Sequence, residues 1–122
     1  METLRSIDLK VADRLRKDPE FLREWFRAEL ETSVPDQMRA LRELRDMTQA
    51  ALAEATGYDG EKPMKQSAIS RFERSTDAKW ELPAVLRMAE AMGGIVRVLI
   101  IPAEHAIETI EAEEKHLAMK EI

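Results

Sequence analysis

The side chains best equipped for chemistry lie between residues 62 and 79. Gln66, Ser67, Ser70 and Arg71 share one side of a helical spacing whose other side carries Ala68, Ile69 and Phe72. The spacing predicts a short helix over 66–74 with an apolar inner face and a polar outer one. Glutamine can pair bidentately with adenine and arginine with guanine, each contact giving about 1–3 kcal/mol of discrimination. A helix offered to the major groove of B-DNA needs this division of faces. Around it stand Lys62, Lys65, Arg71, Arg74 and Lys79 against only Glu73 and Asp77, a local footprint for phosphate. The plainer alternative is a solvated polar face, with Arg71 paired to Glu73 or Asp77.

Other chemistry is poorly supplied. Glu113-x-x-His116 has the spacing of a carboxylate–histidine metal pair on one helix face, but a di-metal bundle needs a second such pair and further glutamates. His105 is the only other histidine. There is no glycine-rich phosphate loop and no serine–histidine–aspartate arrangement with supporting context. With no cysteine, a disulfide framework and a thiolate zinc site are both ruled out. We therefore expect no enzymatic activity, no metal and no cofactor, and a cytoplasmic setting.

Composition is consistent with that expectation. At 122 residues, with 44% hydrophobic and 35% charged residues and few glycines and prolines, the chain suits one small, mainly helical domain. The N-terminus lacks the apolar core of a secretory signal. The longest apolar run, Ile95 to Ile101, is interrupted by Arg97 and falls far short of a membrane span of about 20 residues. A net charge of −5 disfavours a polyanionic partner for the chain as a whole, yet the excess of acid lies mainly in the tail, where residues 81–122 carry 8 acidic and 4 basic groups. Residues 36–80 are balanced.

The elements that must position these groups follow from periodicity. Leu4, Ile7, Val11 and Leu15 predict a first helix; Asp18-Pro19 predicts a cap and the start of a second, striped by Phe21, Leu22, Trp25, Phe26 and Leu30. That stripe reads as core or as a partner-binding face. Ser33-Val34-Pro35-Asp36 breaks the pattern, so Met38, Leu41, Leu44 and Met47 are expected on a third helix. Thr48 caps an alanine-rich fourth that ends at Gly57, expected to be left-handed. Residues 58–65 form a loop. After the helix at 66–74 comes another at Leu82, Val85, Leu86, Ala89 and Met92, with Pro83 in its first turn and Gly93-Gly94 closing it. Ile95, Val96, Val98, Leu99 and Ile100 then read as a β-strand. A lone strand needs a partner, which predicts a homodimer joined through it or pairing with another protein. A helix from Ala103 to Lys120 completes the chain. The expected division is an N-terminal helical extension (1–34), a central domain (35–94), and a dimerisation strand with an acidic C-terminal helix (95–122).

The stretch from Met38 to Gly93 resembles the lambda-repressor-like, or Xre-type, helix-turn-helix regulators. Thr48-Gln49-x-x-Leu52-Ala53-x-x-x-Gly57 is similar to the family's second helix, and Gln66-Ser67-x-Ile69-Ser70-Arg71-x-Glu73 to its recognition helix. The resemblance implies a helical bundle that binds double-stranded operator DNA. It implies that Gln49 contacts a backbone phosphate, that Gln66, Ser67 and Arg71 face base edges, and that Glu73 ties helix ends together. Ser70 and Lys65 are expected on phosphates. One departure stands out: eight residues separate Gly57 from Gln66, where the family has about two. Lys62 and Lys65 in that insertion either follow the DNA backbone or bulge into solvent. The flanking helix and strand, with the small acidic whole, also resemble HigA-type antitoxins, which bind a RelE-like toxin and repress their own operon. A transcriptional repressor, an antitoxin and a protein-binding adaptor are the functions that follow.

Overall fold

The computed structural model describes residues 9–75 and 79–120, with side chains as far as Glu113. Helix α1 (Leu9–Lys17) gives way to α2 (Pro19–Leu44) at Asp18, whose Oδ1 accepts the Phe21 N–H at 3.1 Å. This is an N-cap with proline at the first helical position, where its missing N–H costs nothing. Leu4 and Ile7, expected on the first helix, lie outside the described residues.

The chain divides into two compact units, one made of the residues up to Arg27 and those from Leu99 on, the other running from Ala28 to Val98. In the first unit α1 packs against α6 (Ala106–Lys120), which follows a 3₁₀ turn at Ala103–His105. Among the described residues Ala12, Leu15, Ala106 and Ile107 are its buried ones. Arg16 reaches Glu111 at 3.3 Å, and the Arg14 guanidinium lies 3.9 Å above the Phe21 ring. Trp25 meets Phe26 edge to face, at 5.0 Å between centroids. Phe21, Leu22, Trp25 and Phe26 of the aromatic stripe are half-buried, and Leu30 is exposed.

The expected break at Ser33–Asp36 is not there: α2 runs through Pro35 without interruption. Proline inside a helix removes one backbone hydrogen bond and costs roughly 3 kcal/mol. Here the ring is fully buried, on a stretch whose Met38 belongs to the core and whose Val34 and Leu41 pack against it, so burial offsets the lost bond. Side chains also bind across the affected turns. Thr32 Oγ1 donates to the carbonyls of Ala28 and Glu29, and Gln37 donates to Ser33 Oγ at 2.8 Å. Periodicity shows the proline; it does not show what covers it.

The second unit is built around Met38, Leu52, Ala53, Ile69, Phe72, Val85, Met88, Ala89 and Met92. These come from α2, α3 (Gln49–Ala55), α4 (Gln66–Glu73) and α5 (Leu82–Ala91), with Met92 at the C-cap of α5. Helices α2 and α5 end alike. Asp46 takes a left-handed conformation (φ 53°) with Met47 N–H bonded back to Arg42 O, and Gly93 (φ 71°) sits in the same place before Gly94 N–H bonds to Ala89 O. Both are six-to-one closures that satisfy carbonyls left over at a helix end. Arg45 Nε joins the two ends by donating to Met92 O at 2.9 Å.

Within the single chain, Ile95 to Ile100, expected to pair as a strand with another chain, are in no strand. The segment makes no ladder, and no strand occurs among the described residues. A ladder needs a second strand, and the described chain supplies none. Ile95 and Ile100 are each 92% exposed.

Candidate nucleic-acid interface

Helix α3 begins at Thr48, whose hydroxyl accepts the Ala51 N–H at 3.0 Å, the cap its position predicts. Leu52 and Ala53 bury its inner face, and α4 packs against it. The helix does not end on a left-handed Gly57. Its last turn closes at Thr56 in right-handed geometry, and Gly57 is absent from the positive-φ residues. Glycine is needed there for space instead: a Cβ would lie 2.5 Å from Pro63 Cγ.

That contact is one of several that hold the long connection between α3 and α4 down. Tyr58-Asp59-Gly60-Glu61 is a tight turn with both central residues at positive φ and Glu61 N–H bonded to Tyr58 O at 3.0 Å. Thr56 is fully buried, and its hydroxyl oxygen accepts the Met64 N–H at 2.8 Å. Arg87 of α5 donates to the carbonyls of Thr56 and Lys62. The Tyr58 hydroxyl, its pKa pushed up by desolvation and by its bond to Glu90, donates to that carboxylate at 3.1 Å. The loop is strapped at both sides, while the side chains of Lys62 and Lys65 stay exposed.

Helix α4 starts without a side-chain cap, because Lys65 occupies the N-cap position and cannot accept a hydrogen bond. Ile69 and Phe72 are buried. Gln66, Ser67 and Arg71 are exposed, and their side chains make no hydrogen bond or ion pair among the described residues. Ser70 is half-buried. The spacing of 66–71 thus places its polar groups on one free face. Asp77, an alternative partner for Arg71, lies outside the described residues.

Glu73 closes the helix from inside. It is only 4% exposed, yet its carboxylate accepts two parallel bonds from Arg42, at 2.7 and 2.9 Å, and one from Gln49 Nε2 at 3.2 Å. Arg39 donates to the Glu73 carbonyl at 2.5 Å, and Arg42 Nη1 donates to Met47 O at 2.8 Å. Burial alone would push the carboxyl pKa up. The hydrogen bonds from Arg42 and Gln49 and the charges of Arg42 and Arg39 outweigh it and hold the group below its usual range. The bond to Glu73 likewise raises Arg42. So α2, the start of α3 and the end of α4 meet on one buried carboxylate, and the Gln49 carboxamide expected on phosphate is engaged there. Sequence reasoning missed Arg39, Arg42, Thr56 and Arg87. The helical spacing of Arg39 and Arg42 is a signal for the first two, since it sets both on one side of α2.

No group of histidines, aspartates and glutamates among the described residues is placed to hold a metal ion, and the His116 side chain lies outside them. No described helix is long and apolar enough to cross a membrane.

Comparison with protein families finds one match over nearly half the chain, beginning in α2 and ending just after α5. Residues 36–94 match the helix-turn-helix domain family. The matched span contains every element that builds the exposed face of α4, and it supports a DNA-binding regulator. Neither the curated proteins nor the solved structures provide a match.

Proposed function

We propose that the chain is a sequence-specific transcriptional repressor whose helix-turn-helix domain lays α4 into the major groove. The observation that carries this reading is the face of Gln66, Ser67 and Arg71, exposed and unpaired on a helix whose inner side and C-terminal end are held by buried groups. A pre-organised helix spends little of its binding energy on ordering. Gln66 and Arg71 read bases. Lys62, Lys65 and Ser70 contact phosphates. Gln49 stands at the α3 start, where its bond to Glu73 orients it beside the same groove wall. On this reading the protein is no enzyme, needs no cofactor and works in the cytoplasm.

Operator reading by this fold calls for two half-sites about one helical turn apart. The segment Ile95, Val96, Val98, Leu99, Ile100, exposed at every one of these positions except the half-buried Val96, is suited to pair with its copy in a second subunit, giving a homodimer with the matching symmetry. The same exposed segment favours a second reading, in which the chain is an antitoxin that neutralises a RelE-like toxin and represses its own operon.

Selection of bound sequences from a random duplex pool, followed by titration at several salt concentrations, tests the first reading. A repressor gives a pseudo-palindrome and an affinity that falls steeply with salt. Arg71→Ala costs about 1–3 kcal/mol on the selected site and relaxes one base position in each half. Binding that ignores sequence, or an Arg71→Ala variant with unchanged preference, would sink it. Co-purification with the product of a neighbouring reading frame separates the antitoxin from the free repressor.

A further inference from the structure

Beside α4 lies a cavity of about 660 Å³, within the range of small-molecule sites and formed wholly inside the second unit. Its walls are mainly apolar: Ala68 and Phe72 of α4, Trp80, and Ala84 and Met88 of α5. Among the described residues its charged lining is Arg71, Arg74, Lys79 and Glu81, and of the three cations Lys79 is already engaged. Trp80 stands edge to face on Phe72, 6.2 Å between centroids, and its indole Nε1 is buried with no hydrogen-bond partner among the described residues. Buried donors are normally paired. An open, mainly apolar cleft with cations at its rim, lined by a tryptophan whose buried donor is unpaired among the described residues, is matched by one ligand chemistry.

We propose that this cavity binds a small amphipathic anion, an aromatic or aliphatic carboxylate or sulfonate, and that its occupancy weakens the hold of α4 on DNA. The apolar part of the ligand fills the space between Phe72 and Ala84. Its oxyanion meets Arg74 and Arg71, and a slight turn of the Trp80 ring brings the indole N–H to it. Arg71 is the coupling element, because it lines the cavity and also belongs to the face that reads bases. An anion that draws the guanidinium inward removes it from the groove, and by linkage DNA weakens the anion by the same factor. The coupling rests on the DNA-binding reading; the site itself does not.

The test uses the full chain with Trp25→Phe, which leaves Trp80 as the fluorescent reporter. Two probes are titrated, 8-anilinonaphthalene-1-sulfonate and its uncharged counterpart N-phenyl-1-naphthylamine. The expected result is saturable binding of the sulfonate with energy transfer from Trp80. Ala84→Phe, which fills the cavity, lowers sulfonate affinity tenfold or more at unchanged helicity. Arg74→Gln lowers it about fivefold and leaves the uncharged probe unaffected, a ratio that remains decisive if the Ala84 variant fails to fold. Sulfonate affinity untouched by both substitutions, or an uncharged probe bound as tightly, overturns the site; the latter marks a seat for a partner's apolar side chain. For the coupling, saturating sulfonate reduces DNA affinity of the Trp25→Phe chain at least fivefold and has no effect after Ala84→Phe. Anion binding without that loss overturns the coupling. A chain that binds the sulfonate as described but binds no DNA in its absence refutes the DNA reading and leaves the site standing.

Discussion

At its C-terminal end α4 is held by charge, through a nearly buried Glu73 gripped by Arg42, Arg39 and Gln49. At its N-terminal end there is no capping side chain, and the entry angle is set indirectly, by a loop strapped to Thr56 and Arg87. The two ends answer the same need by different means. A buried carboxylate is costly unless every lone pair is met, so the C-terminal clasp is stringent and fails as a whole. The loop is fixed by several neutral or partly exposed bonds, so it can lose one and keep its course. The working face between them inherits rigidity from both.

Breaking the clasp is the largest expected effect. Glu73→Ala or Arg42→Ala leaves an unpaired buried charge or removes its partner and should cost about 3–5 kcal/mol, read as a lowered denaturant midpoint. Equal losses at both positions with a smaller loss in the double variant would show that the pair acts as a unit. Thr56→Val should cost less, about 1–3 kcal/mol, because the Met64 N–H loses its acceptor. If the loop alone sets the entry of α4, this variant also weakens DNA binding, whereas Arg71→Ala weakens DNA binding with no change in stability. Denaturation monitored alongside DNA titration separates the two.

Acidity sharpens the contrast further. The Glu73 carboxyl lies below its ordinary value of 4.5 in the folded chain, so its contribution is complete above that value and is lost as pH falls through the lower folded one. Wild type should therefore lose stability in acid more steeply than Glu73→Gln, which has already lost the charge. The smallest effect concerns the missing cap. Lys65→Ser supplies an acceptor for the first turn of α4 and should raise stability by about 0.5–2 kcal/mol, while removing a cation and so flattening the salt dependence of DNA binding by about one phosphate. A variant with unchanged stability would mean that the loop holds residue 65 away from capping geometry.

Much of this arrangement was legible in advance. Thr48 and Asp18 cap the helices their positions predict, Gly93 closes α5, and the spacing of Ile69 and Phe72 leaves Gln66, Ser67 and Arg71 on an exposed face. Each depends on neighbours three or four residues away. The misread positions share the opposite property. Pro35 continues a helix with its ring fully buried in the folded chain, and Gly57 is a glycine because Pro63 arrives against it. Residues 95–100 are a separate case: they have the composition of a strand whose expected partner belongs to a second chain.

The sequence by itself determined the helices, most of their ends and the polar face of α4, because hydrogen bonds within a turn and 3.6-residue periodicity are local. Tertiary structure alone decided that α2 passes through Pro35, that the long 58–65 loop is strapped down, and that Glu73 is the point where three helices meet. Those outcomes rest on contacts such as Arg42 to Glu73 and Arg87 to Thr56, between groups about thirty residues apart. Their partners are chosen only when the chain has closed around a common core.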